Sequence, residues 1–311
     1  MEMKYIEFGE DKKKVSEIVI GMMRTASLST AENTKLIETG LEVGINFLDT
    51  ADIYAGGKSE EILGKVFKEN PALREKVFLQ SKCGIRIDKD FTWFDFSKDY
   101  ILQAVDASLQ RLQTDYLDCL LLHRPDALMQ PEEIAEAFTK LKDAGKVKNF
   151  GVSNFNPMMM VRLKKVLDFP IVANQVQLSI AHTPMIDAGF QVNMHWDGAF
   201  MKDGGILEYC AMNDIVIQSW SSLQYGYFEG VFLGSEKYPK LNEVIDRIAE
   251  EKGVTNTAVA LAWILKYPAK MQAVIGTTKP ARIKEAAKST EFELTKKEWY
   301  ELYLAAGNKL P

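Results

Sequence analysis

The sequence predicts one α/β domain in which eight parallel strands and their intervening helices close into a (β/α)8 TIM barrel, with an N-terminal hairpin and additional helices near the C-terminus. Three observations carry this. Short apolar strand patterns alternate with helical patterns of 3.6-residue spacing along almost all of the 311 residues. The strands read as nearly continuous apolar runs, as in Leu117-Asp118-Cys119-Leu120-Leu121-Leu122, which suits a parallel sheet covered on its outer face. No Gly-rich fingerprint follows an early strand, as a doubly wound nucleotide-binding sheet requires: Gly56-Gly57 reads as a loop pair, and Gly204-Gly205 lacks a third glycine. Residues 1–311 therefore read as a single domain, because barrels of this kind routinely run past about 250 residues.

Taken in order, residues 1–10 suggest a hairpin that plugs the barrel bottom. The strand candidates are residues 17–20, 46–49, 77–81, 116–122, 149–152, 171–175, 215–219 and 273–275. Helix starts between them are marked by Ser59 before Glu60-Glu61, by Pro131-Glu132-Glu133 and by Asn156-Pro157. Residues 180–203, with Trp196, show no clear periodicity and read as a long loop at the mouth of a site. Two helices fill residues 241–266, and a Thr295-x-x-Glu298 capping box opens a terminal helix.

Composition sets the class of partner. With 47% hydrophobic and 26% charged residues the chain can bury a large core, and a net charge of −5 with only short, scattered basic clusters argues against a nucleic-acid surface. Cys83, Cys119 and Cys210 show neither CxxC spacing nor an even count, so no disulfide framework or metal site is expected. No stretch approaches the ~20 apolar residues that span a membrane, and the first ten residues lack an apolar targeting segment. A cytoplasmic location is the expectation, and nothing indicates the oligomeric state.

In such a barrel, chemistry sits at the C-terminal ends of the strands. Asp49 ends the second strand, Lys82 the third and His123 the fourth, while Tyr54 lies in the loop after Asp49. Taken singly, each has a bland reading: a turn or cap carboxylate, a solvated lysine, a hydrogen-bonded histidine, a surface aromatic. Their placement on successive strand ends favours one shared site.

The segments Asn46-Phe47-Leu48-Asp49-Thr50-Ala51-Asp52-Ile53-Tyr54, Ser81-Lys82, Leu121-Leu122-His123-Arg124-Pro125-Asp126 and Gly151-Val152-Ser153-Asn154-Phe155 resemble the signature segments of the aldo-keto reductase family, in the family's order, over about residues 21–282. Ser81-Lys82-Cys83-Gly84 is closest to bacterial members. The resemblance implies reduction of an aldehyde or ketone by NADPH, with NADH as the alternative. It makes Tyr54 the general acid, completed by Lys82, Asp49 and His123. Lys82 is expected to lower the Tyr54 pKa, Asp49 to keep Lys82 charged, and His123 to bond the substrate oxygen.

The same resemblance assigns cofactor contacts to Met22, Met23, Ser153, Asn154, Gln175, Trp220, Ser221 and Leu223, with Trp220 stacked on the nicotinamide. It reads Gly276, Thr277, Thr278, Lys279 and Arg282 as a phosphate-binding turn. Pro280 opens a helix whose N–H groups would face an anion, and Arg282 would grip the 2′-phosphate. Gly276 stands where many members carry lysine, and Ala286 where they carry asparagine. Trp93, Phe94 and Trp196 are candidates for an aromatic substrate pocket. Two other classes remain open: a nicotinamide-binding redox sensor related to channel β subunits, and a Schiff-base aldolase with Lys82 as nucleophile.

Overall fold

The computed structural model describes residues 3–89 and 91–311. Eight parallel strands form a closed barrel: β1 (Ile18–Gly21), β2 (Phe47–Asp49), β3 (Phe78–Cys83), β4 (Leu117–Leu122), β5 (Val147–Ser153), β6 (Ile171–Gln177), β7 (Val216–Trp220) and β8 (Met271–Ile275). Each predicted strand is present. β8 pairs with β1 through Ala273 and Ile18, and β5 with β6 through Ser153 and Gln175, which closes the ring.

The barrel bottom is sealed by a hairpin of Tyr5–Phe8 and Lys13–Ser16. The hairpin extends beyond the expected residues 1–10, of which Met1 and Glu2 lie outside the described residues. Phe8 inserts edge-on against Phe47 and Phe78, with ring centroids 5.5 and 5.0 Å apart, a geometry that suits the aromatic quadrupoles. Gly9 makes the turn possible. Its φ is +75°, and a Cβ there would sit 2.3 Å from Asn149 Oδ1, which accepts the Glu10 N–H. Valines, phenylalanines and Cys119 from the inner barrel wall complete this lower cluster, while a larger one joins the outer strand faces to the helices.

The helices begin largely where their caps predict. Asn156 accepts from Met159 N ahead of Pro157–Lys164, and Thr295 and Glu298 form a reciprocal capping box before Lys296–Ala305. The two helices expected in residues 241–266 are Pro239–Lys252 and Asn256–Leu265; the second is buried almost all round. Ser59 is not a cap: helix Lys58–Glu69 begins one residue earlier, with Gly57 at φ +89° preceding it.

Among the described residues, three unpredicted elements lie at the strand ends. Residues 180–203 are not structureless but contain the short helix Pro184–Phe190, whose Met185, Ile186 and Ala188 are buried. A hairpin of Ile85–Asp88 and Phe91–Phe94 follows β3, and a small one of Gln224–Tyr225 and Gly230–Val231 follows β7. All three rise from the C-terminal ends of strands, so they border the mouth where the polar strand-end residues gather. Among the described residues, no helix is long and apolar enough to cross a membrane.

Candidate active site

Strand register creates the site. Asp49 ends β2 directly beside Gln80 of β3, so Lys82 stands two residues further along the same strand, with its side chain on the same face. Lys82 is fully buried. Its Nζ donates to Asp49 Oδ2 and the Thr50 carbonyl, both at 2.8 Å, and to Tyr54 Oη at 3.1 Å. Tyr54 is fixed by the tight turn that leaves β2, in which Ala55 (φ +52°) and Gly56 (φ +66°) adopt left-handed backbone. Such a conformation is uncommon for alanine, and strain of this kind clusters at functional sites. The His123 N–H is held by the Cys83 carbonyl at 2.9 Å, and its ring meets Tyr54 edge-on at 5.7 Å. The four tetrad residues are thus brought together.

An ammonium has three N–H donors and no acceptor. All three are engaged, and the one directed at Tyr54 uses the phenol oxygen as acceptor. The Tyr54 hydroxyl proton is thereby left free to be donated elsewhere.

The electrostatics agree in part with expectation. Burial disfavours the Lys82 charge, but Asp49, Tyr54 and their hydrogen bonds more than offset it, so the lysine pKa lies above its ordinary value. This is the opposite of a Schiff-base lysine, which needs a neutral amine. Burial raises the Tyr54 pKa and Asp49 adds to the rise; Lys82 and Arg124 oppose it without cancelling it. The expected net lowering is therefore not found, because the Lys82 charge is balanced by Asp49 in a desolvated site. Burial, reinforced by Lys82 and Arg124, holds His123 well below the histidine range, so the imidazole is neutral at neutral pH. His123 Nδ1 is buried without a partner among the described residues.

A second buried cluster supports the Tyr54 turn. Glu60, fully buried in the helix after it, accepts from Ser81 Oγ at 2.6 Å and Arg111 Nε at 2.9 Å. Sequence reasoning took Glu60 for a helix-start carboxylate. No local pattern marks the cluster, because Ser81 and Arg111 lie 21 and 51 residues from Glu60 in the chain. Asp52, between Asp49 and Tyr54, has its carboxyl pushed up to about 7 by burial and by Glu60, against the pull of Arg111.

The expected cofactor residues surround the tetrad unevenly. Ser153 Oγ donates to the Gln175 carbonyl, and Asn154, at φ +60°, donates through its side-chain NH2 to Ser153 Oγ and the His123 carbonyl, while its Oδ1 accepts from Trp220 Nε1. Gln175 donates through Nε2 to Asp49, and no described side chain donates to its Oε1. Trp220 ends β7 half-exposed, near Tyr227 and Phe228 of the small hairpin and 5.4 Å from the Arg124 guanidinium. Met22 is fully buried in the larger core cluster, its N–H given to the Asp49 carbonyl and its own carbonyl accepting from Thr25, whereas Met23 is half-buried. Ser221 bonds Gln224 Oε1 from a left-handed backbone, and Leu223 packs against the core.

At the proposed phosphate turn, Thr277 Oγ1 accepts from Lys279 N, and helix Pro280–Ala287 starts with no side-chain cap. Gly276 faces open space, Thr278 is half-exposed, and Lys279 and Arg282 are exposed, with no ion pair among the described residues. Trp93 and Phe94 lie on the hairpin after β3, where Arg86 stacks 4.6 Å from Trp93. Trp196 lines a separate cavity of about 420 Å³ with Asp187, Gln191, His195, Asn308 and Lys309, none of them tetrad residues. No ring contact joins the three aromatics that were expected to form one pocket.

The comparisons with known proteins agree with this arrangement. A 6-dehydroglucose reductase of Agrobacterium fabrum is 35% identical over 309 residues, covering 96% of this chain and 97% of the relative. The thermostable aldo-keto reductase Tm1743, solved with the inhibitor epalrestat, superposes with a TM-score of 0.77 at 26% identity, covering 97% of this chain and 100% of that one. An aldo/keto reductase from Klebsiella pneumoniae, solved with NADP and acetate, gives a TM-score of 0.76 at 24% identity, covering 99% and 96%. The Aldo/keto reductase family pattern matches residues 17–303, the span from the first barrel strand to the terminal helix. With a barrel of the same shape and this pattern running through every strand end described above, the chain belongs to the aldo/keto reductase family and is an oxidoreductase.

Proposed function

We propose that the protein reduces an aldehyde or ketone to the alcohol with NADPH, and that Tyr54 is the general acid. One observation carries this reading: Lys82 saturates its three donors on Asp49, Thr50 and Tyr54, so the Tyr54 O–H points its proton outward while its oxygen is stabilised from behind. As negative charge develops on the carbonyl oxygen, Tyr54 transfers the proton and the Lys82 ammonium stabilises the phenolate left behind. Neutral His123 can donate a hydrogen bond to the same oxygen.

The chain's residues fit the cofactor. The Gln175 Oε1, without a described protein donor, suits a carboxamide N–H, and Trp220 offers a half-exposed ring face. The uncapped helix start at Pro280 with Arg282 suits a phosphate. Bound NADPH supplies the hydride. Three-point retention of Lys82 holds the Tyr54 proton donor in place beside His123.

Oxidation of NADPH should be followed with activated aromatic aldehydes and, because the Agrobacterium relative is named for a dehydroglucose, with carbonyl-bearing sugars. Tyr54→Phe should lower turnover by about 10²–10⁴ while leaving NADPH affinity within a few fold, since it removes a proton donor and almost no volume. A variant that keeps most of its activity removes Tyr54 from the mechanism. NADPH binding without turnover of any carbonyl would favour the sensor reading instead.

A further inference from the structure

Above the Phe8 plug, the barrel interior holds four buried glutamines where branched aliphatic side chains commonly fill such barrels. Gln80 lies on β3, Gln175 on β6, Gln218 on β7 and Gln272 on β8. Register places Gln80 beside Asp49, Gln175 beside Gln218, and Gln218 beside Gln272. Gln80 Nε2 donates to Asp49 Oδ1 at 2.7 Å and to Gln218 Oε1 at 2.9 Å. Gln175 Nε2 donates to the same two oxygens, each at 3.1 Å. Gln218 Nε2 donates to Gln80 Oε1 at 3.2 Å and Gln272 Oε1 at 2.9 Å, and Gln272 Nε2 ends on the Ser16 carbonyl at 2.8 Å.

The direction of every amide follows from Asp49. An ionised carboxylate only accepts, so Gln80 and Gln175 must turn their NH2 groups toward it. Gln218 must then present its oxygen to both, which commits its NH2 to Gln80 and Gln272. Gln272 is committed in turn to the Ser16 carbonyl, another pure acceptor. Flipping Gln218 or Gln272 would set donor against donor, so an anionic Asp49 polarises the whole chain across the barrel.

We propose that this glutamine chain, acting through Gln80, is a positioning device for the reduction: two amides hold Asp49 Oδ1, so that Oδ2 alone is left to Lys82 and the ammonium stays aimed at Tyr54. The proposal rests on the reading of Tyr54 as the general acid. A buried carboxylate is costly unless its lone pairs are met. Without Gln80, Oδ1 keeps only the longer Gln175 contact; the carboxylate then rotates or takes up a proton, and either change moves Nζ off the Tyr54 oxygen.

The test is Gln80→Met, which keeps the length and removes the donor, with Gln218→Met, one amide further from Asp49, as a second variant should the first fail to fold. A hydrogen bond to a charged group is worth roughly tenfold to a hundredfold in an equilibrium. kcat at neutral pH should fall by about tenfold or more, KM and NADPH affinity should stay within about twofold, and the acid limb of the kcat profile should move upward by about one pH unit. The Lys82 ammonium and the Tyr54 ring, followed by isotope-labelled NMR, should both change signal in the variant whether or not any substrate turns over. A lower kcat with an unmoved acid limb would make the chain merely structural, and unchanged Lys82 and Tyr54 signals would overturn the proposal outright. If the wild type turns over no carbonyl, the reductase reading fails, while the Lys82 and Tyr54 signals still decide the fate of the glutamine chain.

Discussion

Lys82→Met tests how the site stores its charge. The side chain is fully buried and its Nζ is 2.8 Å from Asp49 Oδ2, so the substitution removes one member of a desolvated ion pair and keeps most of the volume. Breaking such a pair by deleting one partner typically costs about 3–5 kcal/mol, because a buried charge is left uncompensated. Two amide donors remain on Asp49 Oδ1, which argues for the lower end, about 3 kcal/mol. The deficit has a pH signature. With its cation gone, the Asp49 carboxylate is an uncompensated buried charge whose cost protonation relieves. The deficit should therefore be largest near pH 8 and shrink on acidification. Urea unfolding followed by tryptophan fluorescence at pH 8 and pH 5 measures both. Adding Asp49→Asn should restore much of the stability at pH 8 without restoring turnover, since the amide oxygen can still accept from Gln80 and Gln175. A single variant as stable as wild type at pH 8, or a double variant no more stable than the single, would refute the view that Asp49 and Lys82 are coupled buried charges.

Arg282→Ala should weaken NADPH binding by about ten- to a hundredfold and hardly change NADH binding, as charge-assisted bonds to a 2′-phosphate have no counterpart in NADH. Fluorescence titration with each cofactor measures this, and equal losses would mean that Arg282 holds the turn instead of the phosphate. Asp52→Asn should stabilise the fold at pH 8. The Asp52 carboxyl is pushed up to about 7, so its favourable neutral form is lost as pH rises between about 4 and 7. Solvent access reduces the gain to about 1–2 kcal/mol, and thermal melts across that window should show the difference vanishing at the acid end.

What the sequence determined by itself was everything written in local pattern. Apolar runs set eight strands, caps such as Thr295 and Asn156 set helix starts, and Asp49, Tyr54, Lys82 and His123 were legible because strand ends in a barrel converge on one rim. The sign of the Tyr54 shift was not legible, because it depends on a balance between burial and two opposed charges that exists only after packing. The helix at Pro184–Phe190 was hidden because its seven residues are too few to show a period. The hairpin bearing Trp93 and Phe94 was hidden because its strands are mostly exposed. Glu60, Gln80, Gln218 and Gln272 looked like ordinary polar residues in sequence, and Gln175 was singled out only for the cofactor. Only the closed barrel brings Gln80 and Gln218, 138 residues apart, within hydrogen-bonding distance, and only desolvation there makes the direction of each amide a consequence of the charge on Asp49.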